Sequence, residues 1–363
     1  SDVEAREALT NWFSLNYSRL SDLPTIDEIY SFNHDFINQI ANQANISLAR
    51  LLNVRGPSLM VSATCSSTCT AISMAEDMIK TGRVRRVLIV ANDDATSTWN
   101  MPWVTGGFLT TGAATVEGDI YKEAVPFDKR RSGTIVSTAS VGMLVEAKES
   151  LKKRGMSPIC ELLGSHLFNT AGPLSQIDRT IFSEELETFI LRMEQDWGLR
   201  REKMASEMVY MSHEPYSPAA GGCAQTEMHA LKHVFKRQAH KVLICNTKAA
   251  TGHTMAASLE DPVLAKSLQL QQVPPVLNSS QIDEEFSGIR LSTGGKHAFR
   301  YGLRTAAGFG GHGNFILLRG STASKDRTFE PDRYKQWVKD VTGYKRPRLR
   351  MVERVLIATD GDQ

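Results

Sequence analysis

Long apolar runs are missing from this 363-residue chain. Nowhere do roughly 18 or more apolar residues follow one another, so hydropathy gives no transmembrane helix. Cysteine is scarce: five residues, an odd number with irregular spacing. That pattern describes neither a disulfide framework nor a zinc site, so no metal is expected, and a reducing, cytoplasmic setting is the simplest reading. Charge of one sign is also missing. Forty-two Lys and Arg face forty Asp and Glu, a formal net charge of +2, and no global field argues for nucleic acid. Ser1-Asp-Val-Glu-Ala-Arg6 does not read as a signal peptide. Tandem repeats and low-complexity tracts are absent. What remains is a chain long enough to bury a large core as one or two domains.

The informative stretch is Ser58 to Ala75. It opens apolar, as a short buried strand would, then turns small and hydroxylated around Ala63-Thr-Cys65-Ser-Ser67. It continues as a helix with Ala71, Ile72, Ala75, Met78 and Ile79 on one side. A cysteine at that junction meets unpaired N–H groups and the positive end of the helix dipole, which favour a thiolate. A strand-turn-helix elbow also presents nucleophiles in other folds. The competing reading is a buried structural cysteine, the common fate of a free thiol.

The rest of the chain alternates. A helix is expected from Asp35 to Leu52, broken near Asn45. Arg86–Ala91 is a continuous apolar run that suits a strand buried on both faces. Residues 92–124 read as loop and short helices. Further strands are expected at Ile135–Glu146, Ile159–Leu163, Met208–His213, Val242–Asn246 and Asn314–Leu318. Helices are expected at Glu146–Arg154, through 180–204, at Gln225–Phe235 and from Met255 towards Leu268. The alternation argues an α/β architecture. Two histidines, His213 and His253, follow apolar strands, where sites gather in α/β proteins.

Several segments together resemble the β-ketoacyl synthases, the condensing enzymes of fatty acid and polyketide synthesis, and most of all ketosynthase domains of large multienzyme synthases. Gly56-Pro-Ser58 with Ala63-Thr-Cys65-Ser-Ser67 is similar to the family's nucleophile segment. Pro126-Phe-Asp128-Lys-Arg-Arg131-Ser-Gly133 resembles its P-F-D-x-x-R-x-G loop. Lys248, Gly252, His253 and Thr254 reproduce K-x-x-x-G-H and the residue after it, and Gly308-Phe309-Gly310-Gly311, followed by Asn314, matches G-F-G-G. Two departures stand out. His213-Glu214-Pro215-Tyr216-Ser217 replaces H-G-T-G-T, with Ser217 keeping the last hydroxyl, and is similar to H-E-x-Y-[TS]-P segments of some large synthases. Ser137–Val141 replaces G-E-G-A-G, and the glutamate usual there is missing, with its contact to the site lysine.

The resemblance covers about Asp35 to Leu318 and leaves the family's first strand without a counterpart in residues 1–34. It implies a thiolase-like fold, layered α-β-α-β-α in two pseudo-repeated halves. Residues 1–155 would carry the nucleophile and 156–320 the His, Lys and Gly-rich loop. Residues 321–363 would be a basic linker or the start of a further domain. It implies that Cys65 holds an acyl chain as a thioester and that the N–H groups of Cys65 and Phe309, beside Gly310, form an oxyanion hole. His213 and His253 would stabilise an enolate made by losing CO2 from a malonyl-type extender, Lys248 would support His253, and Phe309 would act as a gate. Ser217, Thr254, Gly308, Gly311 and Asn314 would line the pocket. The phosphopantetheine arm would come from an acyl carrier protein, with no other cofactor. A homodimer, and other domains of a multienzyme synthase, are the further partners implied. The remaining cysteines, Cys69, Cys160, Cys223 and Cys245, read as packing residues. A non-elongating partner or scaffold subunit is the alternative. A cysteine hydrolase with a Cys–His pair ranks below both, because it leaves Lys248 and the Gly308–Gly311 loop without a task.

Overall fold

A six-stranded mixed sheet carries most of the core, and its strand directions decide where the loops meet. The computed structural model describes residues 44–98, 100–172, 176–217, 222–321, 327–353 and 355–361. The chain divides into two units, Ser1–Met60 and Val61–Gln363. In the first, the described part holds one helix, α1 (Ala44–Leu51). The expected helix from Asp35 to residue 43 lies outside the described residues.

In the second unit the elements run α2 (Ser67–Lys80), β1 (Arg86–Asp93), α3 (Met101–Thr110), α4 (Ile120–Glu123), β2 (Ala139–Glu146), α5 (Lys148–Lys153) and β3 (Cys160–Asn169). Then come α6 (Arg179–Trp197), α7 (Arg201–Ser206), β4 (Met208–Met211), α8 (Cys223–Phe235), β5 (Leu243–Cys245), α9 (Lys248–Thr251) and α10 (Glu260–Leu270). Strands β6 (Gln272–Pro275), β7 (Arg290–Leu291), β8 (Thr293–Lys296), β9 (Tyr301–Gly308) and β10 (His312–Gly320) follow, then α11 (Pro331–Thr342), β11 (Pro347–Val352) and β12 (Val355–Asp360).

The large sheet has the order β3-β10-β9-β4-β5-β7. β9, β4, β5 and β7 are mutually parallel, and β10 runs antiparallel to β9 and β3. β4 and β5 are buried throughout, as uninterrupted apolar runs should be when helices cover both faces. One face packs on α6 and α8 through Phe182, Leu186, Phe189, Met228, Leu231 and Val234. The other packs on α10 through Leu264 and Leu268. It packs also on α2, whose Cys69, Ile72 and Ala75 meet Ala306 and Ile316. α2 is in turn covered by β1 and β2 through Ile89, Val87, Met143 and Val145. Helix, sheet, helix, sheet is four layers of the expected five, built from the described residues.

The sequence reading needs correction at several points. Arg86–Ala91 is not buried on both faces. Among the described residues β1 pairs antiparallel with β2 alone, and Leu88, Val90 and Leu144 are exposed. An apolar run shows that a strand is apolar, not which faces are covered. Ser58–Val61 forms no strand, since no described strand pairs with it, and Leu59 and Met60 are exposed. The strand expected from Ile135 begins only at Ala139; residues 135–137 pair with His253 instead. β9, which is not among the expected strands, lies inside the sheet between β10 and β4. Cys160 and Cys223 are only half-buried. Apart from these corrections, the tail expected as a linker or the start of a further domain holds α11 and the β11–β12 hairpin. Its start is pinned where the N–H groups of Phe329 and Glu330 donate to Gly155 O at 2.8 and 2.9 Å. Arg154 stacks over Trp337 at 5.2 Å.

Phe315 on β10 anchors the face towards α6. Its ring is fully buried and lies 4.9 Å from Phe168, 5.0 Å from Phe182 and 6.0 Å from Phe189, centroid to centroid. Phe315→Ala is expected to cost about 3–5 kcal/mol of unfolding free energy, read from the denaturant midpoint at unchanged slope.

Candidate active site

Three parallel strands deliver their carboxyl ends to one edge of the sheet. β4 runs into His213, β5 into Lys248 and His253, and β9 into Gly308 and Phe309. This edge is where open α/β sheets collect ligands. The fourth contribution is the turn before α2, which carries Cys65.

That turn is tight. Thr64 sits at φ +50°, unusual for a β-branched residue. Ser66 N–H and Ser67 N–H donate to Ala63 O and Thr64 O at 3.1 and 3.2 Å, and Ala63 N–H donates to Ser67 Oγ at 2.9 Å. The turn seats directly on the β9 end: Thr64 Oγ1 donates to Phe309 O at 3.3 Å. A Cβ added at Gly308 would lie 2.9 Å from Ala63 O and 3.2 Å from Cys65 N. Glycine is therefore required at 308 by close approach, not by backbone angle.

His253 Nε2 lies 3.3 Å from Cys65 Sγ, and the His213 and His253 rings are 5.4 Å apart at 82°. All three side chains are buried. The His253 backbone is held on both sides: its N–H donates to Ile135 O at 2.7 Å, and Ser137 N–H donates to its carbonyl at 3.0 Å. Gly252, at φ +69°, permits that approach, since a Cβ there would sit 2.7 Å from Ser137 Cβ. His213 is held through its backbone, its N–H donating to Glu227 Oε1 at 3.0 Å. Phe108 on α3 packs against both His253, at 6.2 Å, and Phe309, at 5.3 Å.

Lys248 Nζ is paired with Glu260, and both are 2% exposed. Behind them Arg304 donates to Asp261 Oδ1 at 2.8 Å and to Ser258 Oγ at 2.9 Å. The glutamate missing near Thr138 thus has a stand-in at the start of α10. Burial would raise the Glu260 carboxyl, but Lys248 and Arg304 outweigh it and hold it well below the usual range. Burial, then Lys248, pushes His253 down to about 3 and His213 well below its ordinary value. Both rings are neutral at physiological pH. Burial also pushes the Cys65 thiol up to about 12; Lys248 opposes this, while Asp93 and Glu260 add to it. The thiolate expected from the helix terminus is overruled by burial, so the resting pair is a protonated thiol beside a neutral imidazole.

The other expected residues are placed as follows. Thr254 is buried, and its hydroxyl donates to Ala257 O at 2.8 Å. Gly310 and Gly311 form the β9–β10 turn at φ +87° and +80°. Asn314 is fully buried on β10, with both side-chain polar atoms unpartnered. Ser217 is half-buried and ends the described part of the His213 loop. Cys69 donates to Asp261 Oδ1 at 3.3 Å, a packing and anchoring role. Sequence reasoning missed Glu227, Glu260 and Asp93, the last of which accepts the Ala257 N–H in the loop after His253. The available signal was an acidic residue at an apolar strand end or helix start, and it is weak by itself. Among the described residues no His, Cys, Asp and Glu cluster is arranged to hold a metal, and no helix is long and apolar enough to cross a membrane.

The layers and the edge-gathered thiol and imidazoles define a thiolase-like condensing fold. Solved structures agree. A type II polyketide synthase acyl carrier protein in complex with its ketosynthase bound to the hexaketide matches with TM-score 0.71 and 22% identity, over 81% of this chain and 70% of that one. A β-ketoacyl synthase from Burkholderia phymatum matches with TM-score 0.69 and 18% identity, over 85% and 70%. The family model "Beta-ketoacyl synthase, N-terminal domain" matches residues 13–150, and "Beta-ketoacyl synthase, C-terminal domain" matches 210–280, together more than half of the chain. The chain belongs to the β-ketoacyl synthase family. Among its relatives, 3-oxoacyl-[acyl-carrier-protein] synthase 2 of Vibrio harveyi is 27% identical over 78% of this chain. The chloroplastic 3-oxoacyl-[acyl-carrier-protein] synthase I of Hordeum vulgare is 27% identical over 77%. The chain spans 66% of the first and 58% of the second.

Two outcomes follow from this geometry. The rate of Cys65 carboxamidomethylation, followed by peptide mass spectrometry, should rise about tenfold per pH unit from pH 7 to 10 without levelling, because the thiol is raised, not lowered. A plateau near pH 8 would show a stabilised thiolate. Gly308→Ala should leave the protein folded but slow thioester loading of Cys65 by about a hundredfold, since a small displacement of the turn misaligns the sulfur.

Proposed function

We propose that the chain is a β-ketoacyl synthase that condenses a cysteine-bound acyl chain with a malonyl-type extender carried on an acyl carrier protein. The observation that carries this reading is the meeting of the Cys65 sulfur with His253 Nε2 at 3.3 Å, with His213 beside them. In the first half-reaction Cys65 attacks an acyl thioester, and the thiol proton passes to the departing carrier thiolate. The N–H groups of Cys65 and Phe309 are the candidate oxyanion hole.

In the second half-reaction the extender loses CO2, and the electron pair of that bond becomes an enolate. His213 and His253 are neutral, so each offers one N–H to the enolate oxygen without carrying a positive charge on the ring itself. The enolate carbon attacks the Cys65 thioester, its C–S bond breaks, and the released thiolate takes up a proton from solvent. Lys248, tied to Glu260, acts on the field around His253, and Phe309 is the candidate gate. Ser217, Thr254, Gly308, Gly311 and Asn314 are candidate pocket residues around a phosphopantetheine arm supplied by the carrier. Residues 1–155 and 156–320 act together, the first supplying the nucleophile and the second the imidazoles and gate, with 321–363 as a linking segment towards other synthase domains. The exposed apolar face of β1 and β2 is our candidate for the contact in a homodimer. Free thiols fit a cytoplasmic setting.

The alternative is a non-elongating partner subunit; a thiol within reach of an imidazole favours catalysis over it. Cys65→Ala should abolish both acyl loading and elongation, seen by intact-protein mass after incubation with acyl- and malonyl-carrier substrates. Cys65→Gln should still release CO2 from the malonyl carrier. Elongation by Cys65→Ala would overturn the reading.

A further inference from the structure

The His213 loop leaves β4 and returns to α8 with two large side chains turned inward. Glu214 and Tyr216 are both fully buried. Tyr216 adopts φ +48°, a conformation that costs a bulky residue energy and persists only where the surroundings enforce it. What enforces it is on either side. Glu214 is fixed at three points: its N–H donates to Ser212 Oγ at 2.9 Å, its carbonyl accepts from Asn246 Nδ2 at 2.8 Å, and its Oε2 accepts from Ala224 N–H at 3.0 Å. Asn246 Oδ1 in turn accepts the Lys248 N–H at 2.9 Å. With the loop so fixed, the Tyr216 hydroxyl reaches residues 134–137, where the Ile135 N–H donates to it at 3.4 Å.

Residue 135 is the one whose carbonyl receives the His253 N–H at 2.7 Å. One ring therefore spans from the loop that carries His213 to the strip that carries His253. We propose that Tyr216 is a positioning residue that sets the spacing of the two imidazoles, acting through Ile135. It touches neither the sulfur nor the reacting carbons. The enolate needs both N–H donors aimed at one oxygen, whereas loading of Cys65 uses the sulfur and the backbone N–H groups of Cys65 and Phe309. Loosening the span should therefore injure one half-reaction and spare the other. This inference rests on the proposed condensation for its kinetic consequence, but not for its structural one.

The test is Tyr216→Phe, which keeps the ring and removes the oxygen. Imidazole NMR signals of His213 and His253, assigned with His→Gln variants, should both shift, while those of His297 and His312 stay. Movement of only one of the two signals, or of neither, overturns the span whatever the protein catalyses. In kinetics, kcat for malonyl-carrier decarboxylation should fall about tenfold or more at unchanged KM. The rate of Cys65 loading should hold within about twofold. An equal fall in both rates, or no fall in decarboxylation, would overturn the positioning role. A wild-type protein that releases no CO2 would instead sink the proposed function and leave the NMR result to decide the span.

Discussion

Lys248, Glu260, Arg304 and Asp261 form the buried charge cluster on which the site depends. Two basic and two acidic side chains, each at most 5% exposed, lie between α9, α10 and β9. Removing any one would strand its partner without water, a loss of several kcal/mol. The cluster fixes the segment from His253 to the start of α10, because Lys248 precedes that segment, Glu260 and Asp261 end it, and Ser258 within it is bound by both Arg304 and Glu260. It also sets the electrical character of the neighbouring thiol. Lys248 favours a thiolate, but Glu260 lies against it and opposes that effect, so burial decides the outcome.

The chemistry that suits this environment keeps charge off the resting groups. A buried, protonated thiol next to a neutral ring stores no ion pair, and the proton moves only as the sulfur bonds to carbon. In the condensation proposed above, the same neutrality serves the enolate. A cationic imidazole would hold malonyl carboxylate as firmly as the product enolate, whereas a neutral N–H donor responds mainly to the charge that develops during loss of CO2. These features follow from one condition, a buried site in which Lys248 and Arg304 are matched by Glu260 and Asp261.

Much of this was legible in the chain, and the pattern of what was not is physical. His213 and His253 could be read from the apolar runs they follow, and Cys65 from its place at a junction leading into a helix, whereas Lys248 and Phe309 were marked only by the resemblance to the β-ketoacyl synthases. Glu227, Glu260 and Asp93 could not. An acidic residue carries no mark of burial until its partner, remote in sequence, is known. Cys65 was readable as a nucleophile but not as a protonated thiol, since helix-terminus logic is local and desolvation is not. Arg86–Ala91 misled for a related reason: apolar letters give no count of the layers above them. Glu214 and Tyr216 were visible only as replacements for small residues, and what they reach emerged from the fold.

The sheet itself explains how the site is held rigid. β4, β5 and β9 are buried almost along their whole length, so His213, His253 and Gly308 leave from fixed points. The chain then reverses from β9 into β10 over Phe309, Gly310 and Gly311, the one turn at this edge with two consecutive glycines at positive φ. Its far side is tied, since Asn169 Nδ2 donates to Gly310 O at 2.9 Å. Its near side touches the nucleophile turn through Thr64 and the ring of Phe108. The Phe309 side chain stands just beyond the last paired residue of β9 and packs on Phe108, a place that suits the gate proposed for it.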